Sequence, residues 1–579
     1  MRCWPTAALL ALCACSAPDR PREEPVGAPV PEPQVQVAVR LPEGTRLRAQ
    51  VVDGLPDDAS WRAVGTWWRE ALAQTRRFSV APSGAPAATT VVLTVDAEAQ
   101  ALTATLRRVD EERLLAVSRF GPGSETPGLL ASLDHLAWSA RRALGEAAAR
   151  PMAVARATSA DPRVVTAVED AEGLVRTGAF GSAYDALKAA RRRDGGAPFV
   201  LAPLAALDLL RGDARRARDV CREAVGYAAR CSPTVQHRLA RTLLLANAAL
   251  EPEQAGDVDR ELQRLATVAR RERPHDDAPR YTEALAANFL ADFERARPQL
   301  EELRRRLPEH GFVAYHLGWA CLGTSDPRAA AEHLAEAASR LPLPWVVLPW
   351  AIALYESAQH DALRRLLERA RRGAGASGLE HQVLRMMAAH ALLRGERARA
   401  RGLLLDDLRW LVQHPLELDR RAGDFADAGA VLVRLGSAPE LRSLVAAVQK
   451  LPVEGATRDA AAFVGGLEQV RATGRRAVRL EESLGRDGDS PWSALLAAYA
   501  HEREGEVGAM QQALARAALL SSSPLTKALL ARSLRAVGKA READLLQRTL
   551  AREMQTLNLR GRCQHPLFGP ELAFAVGLR

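Results

Sequence analysis

Apolar and small residues recur at helical spacing along most of this chain, and over Asp277 to Leu343 the whole pattern repeats. Ala296 and Ala330, Leu300 and Leu334, and Pro308 and Pro342 each stand 34 residues apart. The second copy adds Leu317-Gly318, a small pair that lets two helices approach closely where they cross. The same interval relates Gly178 to Gly212, Ala183 to Ala217, Leu187 to Cys221 and Ala190 to Ala224. A unit of this length holds two helices and a turn, and its apolar face is buried only by stacking on neighbours. The pattern predicts about eleven helical hairpins across residues 157–556, less regular at Pro233–Arg273 and weaker after Pro415. Residues 557–579, with Pro566, Phe568 and Pro570, read as a tail capping the last hairpin.

Ahead of the array the period changes. Val35, Val37 and Val39 alternate, and Thr45 to Val52 is a second extended run. Asp58 to Thr75 is an amphipathic helix carrying Trp61, Val64, Trp68 and Leu72. A short extended piece, Phe78 to Ala81, precedes a three-strand meander over Thr90–Asp96, Ala101–Val109 and Arg113–Phe120, with polar turns between. A helix from about Leu129 to Gly145 closes residues 35–149 as a small α/β domain of order β-α-β-β-β-α.

The first fifteen residues read MRCWPTAALLALCAC: a basic start, a short apolar run and a small-residue end. That layout is a secretory signal, too short to span a bilayer. Residues 16–34 carry Pro at 18, 21, 25, 29, 31 and 33 among Arg and Glu, an extended, solvated spacer.

Three resemblances follow from these residues. The 34-residue period, with small residues at helix contacts and a proline before the next unit, resembles the tetratricopeptide (TPR) repeat. It implies a mostly α fold, a right-handed α-solenoid preceded by the small α/β domain. In that family the first helix of each hairpin lines a concave surface. The register set by Ala296 and Ala330 puts Tyr281, Asn288, Phe312, Tyr315, Trp319, Trp345 and Tyr355 there, with Arg385 placed to meet a carboxylate at the groove's end. The resemblance implies a groove for a protein or peptide; the competing reading makes these rings inner core. The α/β domain, with its closing LDHLAWSARRALGE helix, resembles the N-terminal domain of TolB and the CsgG-like lipoproteins, which implies a protein-contact role and a periplasmic address. Leu12-Cys13-Ala14-Cys15 resembles the bacterial lipobox, which implies lipidation at Cys15, and Ser16 in place of Asp implies sorting to the outer membrane.

Composition adjusts this picture little. The formal charge is +9, but only four of 79 basic residues are Lys, at 188, 450, 527 and 539, and the arginines are interleaved with Asp and Glu along the helices. That distribution suits solvated faces rather than a nucleic-acid stripe. Aromatics are 5% of the chain, so their clustering on one helical face is the notable concentration.

No catalytic, cofactor or metal motif stands out. The twelve histidines show no metal spacing, and P-loop, Rossmann and nucleophile-elbow patterns are missing. Cys221 and Cys231 read as one continuous helix, where ten residues span ~15 Å, too far for a disulfide. The expectation is therefore a non-catalytic, periplasm-facing scaffold tethered to the outer membrane by its lipid, binding protein partners through the concave face, with no cofactor and no nucleic acid. The alternative is an envelope enzyme or enzyme regulator, linked to peptidoglycan, that uses the repeats for recruitment. The sequence leaves the oligomeric state open.

Overall fold

The computed structural model describes residues 41, 45–51, 59–75, 78–81, 87–96, 101–108, 111–119, 126–146, 152–176, 178–251, 254–341, 346–373, 380–436, 439–473, 491–520 and 524–546. The leader with Cys15, the spacer, the Val35–Val39 run, Trp345 and the 557–579 tail lie outside these residues.

The small domain forms from strands β1 (Arg46–Val51), β2 (Ser79–Ala81), β3 (Thr89–Asp96), β4 (Ala101–Arg108) and β5 (Glu111–Arg119), with helices α1 (Ala59–Ala73) and α2 (Thr126–Ala143). Sheet order is β2-β1-β3-β4-β5. β1 runs parallel to both β2 and β3, because helix α1 carries the chain back between β1 and β2. β3, β4 and β5 form the antiparallel meander, with a bulge at Ala104/Thr105. The three-residue Ser79–Ala81 run is thus an edge strand, which makes the described order β-α-β-β-β-β-α. Trp67, Trp68 and Leu72 of α1 pack with Leu133 and Leu136 of α2 over Leu93, Leu102 and Leu115 of the sheet.

From Pro162 onward the described residues form helices, most of them paired in hairpins. They are α3 (Pro162–Arg176) with α4 (Phe180–Arg193), α5 (Pro198–Leu210) with α6 (Ala214–Val225), and α7 (Pro233–Leu250) with α8 (Ala255–Glu272). Next come α9 (Asp277–Phe289) with α10 (Phe293–Arg306) and α11 (Gly311–Gly323) with α12 (Pro327–Arg340). Then follow α13 (Val347–Glu356) with α14 (His360–Gly373), α15 (Glu380–Leu393) with α16 (Arg397–Gln413), and α17 (Ala422–Arg434) with α18 (Pro439–Val448). Beyond these lie α19 (Gly455–Thr473), α20 (Pro491–Glu504), α21 (Val507–Leu520) and α22 (Pro524–Ala536). This is the TPR-like helical array the 34-residue period predicts: α9 and α11, like α10 and α12, start 34 residues apart.

The array starts several of its helices with a side-chain cap and turns its hairpins on one left-handed residue. Asp213, Ser232 and Asp276 accept backbone N–H bonds at the starts of α6, α7 and α9. Between the two helices of a hairpin one residue takes positive φ, which glycine does freely: Gly212 at 87° and Gly395 at 75°. Ala291, Ser325 and Ala358 hold the same position at 57° to 59°.

The chain divides into two units, residues 1–320 with 336–342, and residues 321–335 with 343–579, the division falling inside α11 and α12. In the first unit the α/β core runs on into the array, since Val154 and Val165 belong to the same apolar cluster as Trp67 and Leu133.

One expectation fails in that unit. Cys221 and Cys231 do not share a helix: α6 ends at Val225, a 3-10 turn spans Ala228–Arg230, and Cys231 precedes α7. The break lets Tyr227 leave the helix and lay its ring on Gly196, where a Cβ would come within 2.8 Å of that ring. Both thiols are nevertheless free and buried. Burial pushes Cys221 up to about 12 and Cys231 up to about 11, so neither is a thiolate at neutral pH. Iodoacetamide at pH 8 is therefore expected to leave both unmodified in the folded protein and to label both in urea, as mapped by peptide mass spectrometry. Labelling of Cys221 without denaturant would contradict its burial.

Candidate functional site

Five of the eight predicted groove residues lie on α9 and α11 of the first unit, and they do come together. The Tyr281 ring is 5.8 Å from His316, Tyr315 is 5.0 Å from His316 and 6.5 Å from Trp319, and Phe312 is 6.1 Å from His310. Asn288 Nδ2 donates to the His316 carbonyl at 2.9 Å, tying the two helices. The cluster is interior, however. Trp319 and Asn288 are fully buried and Tyr315 is 6% exposed, while Tyr281 and Phe312 are half-buried. Burial, with His310 and Arg241 nearby, lowers His316 to about 3, and burial raises Tyr281 to about 12. Neutral rings in a desolvated pocket pack hairpins together. An open aromatic channel is corrected to a packed layer with Tyr281 and Phe312 at its edge. Trp345 is outside the described residues, and Tyr355, half-buried in the second unit, lies 6.3 Å from His360.

Sequence reasoning missed what lies against the array in that unit. The α/β domain is docked there. Thr66 of α1 donates to Glu169 of α3 at 2.6 Å, with Arg69 at 3.6 Å from the same carboxylate. Trp67 Nε1 donates to the Ser159 carbonyl at 3.1 Å. Arg46 of β1 reaches Asp277, the first residue of α9, at 2.7 Å, and donates to the Arg306 carbonyl at 2.9 Å. Arg306 in turn pairs with Asp277 at 3.0 Å and donates to Ser79 Oγ at 3.2 Å. Glu70 and Gln74 border a cleft of about 50 Å³ closed by Ser232, Thr234 and Arg273. Burial raises the Glu70 carboxyl, against the pull of Arg69 and Arg238. No motif announced this contact, because Arg46 and Asp277 are 231 residues apart.

In the second unit the prediction for Arg385 changes partner. Arg385 is 4% exposed and its guanidinium pairs with Asp424 of α17 at 2.7 Å. A buried guanidinium needs an internal counter-charge, so it is not free to meet a ligand's carboxylate. His381, one turn earlier on α15, faces two carboxylates: Asp407 at 2.5 Å from Nδ1 and Asp424 at 3.2 Å from Nε2. Trp410 stacks on His381 with ring centroids 5.9 Å apart. Burial alone would raise Asp424, but Arg385, the His381 hydrogen bond and Arg421 together outweigh it and hold the carboxyl below the usual range. Asp427, one turn on, goes the other way: burial pushes it up to about 7, opposed by Arg385 and helped by Asp424.

Asp427 also lines a pocket of about 210 Å³ between α17, α19, α20, α21 and α22. Phe463, Leu467, Leu495, Met510 and Leu514 form its apolar wall. At its edge His501 Nδ1 lies 2.7 Å from Glu506 and 3.8 Å from Glu504, both on the surface. These three groups can bring one ligand atom each within 4.8 Å of one another, a grouping built on the His501–Glu506 hydrogen bond with exposed Glu504 nearby. Two carboxylates at i and i+3 on the apolar helix AGDFADAGAVLVR were the available signal for this region.

No protein-family model matches the chain, and no curated protein matches it. Solved structures similar to parts of it include a thermophilic TPR protein of Thermus thermophilus, at 18% identity and TM-score 0.26, covering 33% of this chain and 99% of that one. The pilF protein of Pseudomonas aeruginosa, at 19% identity and TM-score 0.27, covers 37% of this chain and 91% of its own. Yeast Tom70, at 12% identity and TM-score 0.31, covers 72% and 95%. The repeat assignment rests on the hairpins themselves.

Proposed function

We propose that this chain is a non-catalytic protein-interaction scaffold of the bacterial envelope, held at the outer membrane by a lipid on Cys15 and facing the periplasm. The observation that carries the scaffold reading is the array itself: TPR-like hairpins with an α/β domain docked on them, Thr66 on α3, Arg46 on α9 and α10, and Trp67 on Ser159 just before α3. Docking of this kind presents two modules as one body, which suits binding of protein partners over a broad surface. The envelope address rests on the leader and on Cys15. Partner contact in the first unit runs along the half-buried edge at Tyr281 and Phe312, since the rings behind them are already used in packing.

The test joins anchor and partner. A photo-crosslinking residue at Phe312 is introduced into wild type and into Cys15→Ala. Wild type is expected in the membrane fraction with a discrete protein crosslink, and Cys15→Ala in the soluble periplasmic fraction. Membrane retention of Cys15→Ala sinks the anchor, and a Phe312 probe that captures no protein sinks the edge as a contact surface.

A further inference from the structure

The pocket of the second unit contains a buried carboxylate that no described residue binds. Asp427 is 7% exposed, lines the pocket, and accepts no hydrogen bond from any described residue. Arg385 acts on it electrostatically but pairs directly with Asp424 at 2.7 Å. The other charged groups around the pocket are engaged. Arg434 pairs with Glu502 at 2.9 Å and lies over the Tyr499 ring, His501 faces Glu506, and Arg532 has a partner of its own. Ser533 Oγ is a second buried polar atom with no hydrogen-bond partner among the described residues. Most of the remaining wall is apolar.

We propose that this pocket binds a small organic cation, an ammonium or guanidinium head on a benzyl- or alkyl-sized apolar stem, with Asp427 as its counter-charge and Ser533 as a further acceptor. Size fits: an apolar cavity of ~150 Å³ already accommodates benzene, and this one is about 210 Å³. Charge fits as well. A desolvated carboxylate gains most from a charged donor, and leaving it unpaired is costly. A metal ion fits poorly, because Asp427 stands without a second unpaired carboxylate beside it in an apolar wall, whereas hard cations take six or more oxygen ligands. The elevation of Asp427 is what a missing counter-charge produces. The cation has two possible sources, a free amine or the lysine side chain of a bound protein.

Calorimetric titration of the full chain with 2-phenylethylamine, 2-phenylethanol and 3-phenylpropionate separates head from stem. The amine is expected to bind at least ~10-fold tighter than the alcohol, and the carboxylate weaker than either. Asp427→Asn, shaped like the original, is expected to erase the preference for the amine while keeping the helical circular-dichroism spectrum. Ser533→Ala provides a milder second variant, expected to weaken the amine several-fold and leave the alcohol unchanged. N-acetyl-lysine methylamide separates the sources: amine binding without it points to a free ligand, and tighter binding of the lysine derivative points to a protein side chain. Equal affinity for amine and alcohol in wild type, an unchanged preference in folded Asp427→Asn, or no binding of either cation up to ~10 mM overturns the proposal.

Discussion

Replacing Arg385 with methionine is expected to destabilise the second unit by ~3–5 kcal/mol, because it leaves a buried charge without its partner. Arg385 and Asp424 are 4% and 8% exposed at the side chain and 2.7 Å apart. After the change Asp424 retains His381 at 3.2 Å and Arg421 at 3.5 Å, neither of which replaces a close guanidinium. Asp427, already raised to about 7, loses the one cation that opposes its burial. The sign with pH follows from the two shifts. Asp424 is depressed in the folded state, so its contribution is present above the ordinary carboxylate range and fades as pH falls through the depressed value. Asp427 is raised, so its contribution is present below the ordinary carboxylate range and is lost as pH rises through about 7. The Asp427 effect makes Arg385→Met more damaging at neutral pH than at pH 4, while the Asp424 contribution is still nearly whole at pH 4 and fades only below it. Urea unfolding of wild type and variant at pH 7 and pH 4, followed by hydrogen exchange in α15 and α17, measures this. The double variant Arg385→Met/Asp424→Leu should recover much of the loss, since a buried pair is often replaced by apolar groups at little cost. A single variant as stable as wild type at pH 7 would mean that this ion pair is solvated.

How much of this was legible beforehand differs between fold and site, and the reason is range. The hairpins were legible because the signals are local: a 34-residue period, an apolar stripe on each helix, and a glycine at turns such as Gly212, Gly395 and Gly436. Ala291, Ser325 and Ala358 adopt the same turn without that residue, so there the period carried the reading alone. The meander was legible for the same reason, since its strands alternate and its turns are short. The burial of Trp319 was not. Helical register told which residues share a face, but a shared face is equally a groove or an interior layer, and only the neighbouring helix decides. The Cys221–Cys231 reading failed because the helix stops at Val225, Tyr227 lies over Gly196 and a 3-10 turn follows before Cys231. Arg46 with Asp277 could not be read at all, because a salt bridge across 231 positions leaves no mark on either local sequence. His381, Arg385, Asp424 and Asp427 left a weaker mark: charged groups at i, i+3 and i, i+4 on helices otherwise buried almost all round. Such residues must find each other or a ligand, and in this fold three of them do the first.

Truncating Trp319 to alanine is expected to cost the first unit ~3–5 kcal/mol, the cost of deleting a large ring from a packed interior. The ring is fully buried on α11, with Tyr315 one turn earlier at 6.5 Å in an edge-to-face arrangement. Its indole Nε1 is buried without a hydrogen-bond partner among the described residues. That detail separates two substitutions. Alanine leaves a cavity the size of the ring, which the neighbouring helices fill only in part. Phenylalanine keeps much of the apolar volume and removes the unpaired N–H, whose desolvation costs ~1–3 kcal/mol. Trp319→Phe should therefore lose far less than Trp319→Ala, and the order of the two variants is itself informative. An exposed groove residue would behave differently, since both substitutions would fall within ~0.5 kcal/mol of wild type and only partner binding would suffer. Denaturant unfolding, with hydrogen exchange across α9 and α11, distinguishes the cases. A large loss for alanine, with faster exchange at Asn288 and His316, places the aromatic layer in the core; two near-neutral variants would return it to the surface and restore the channel.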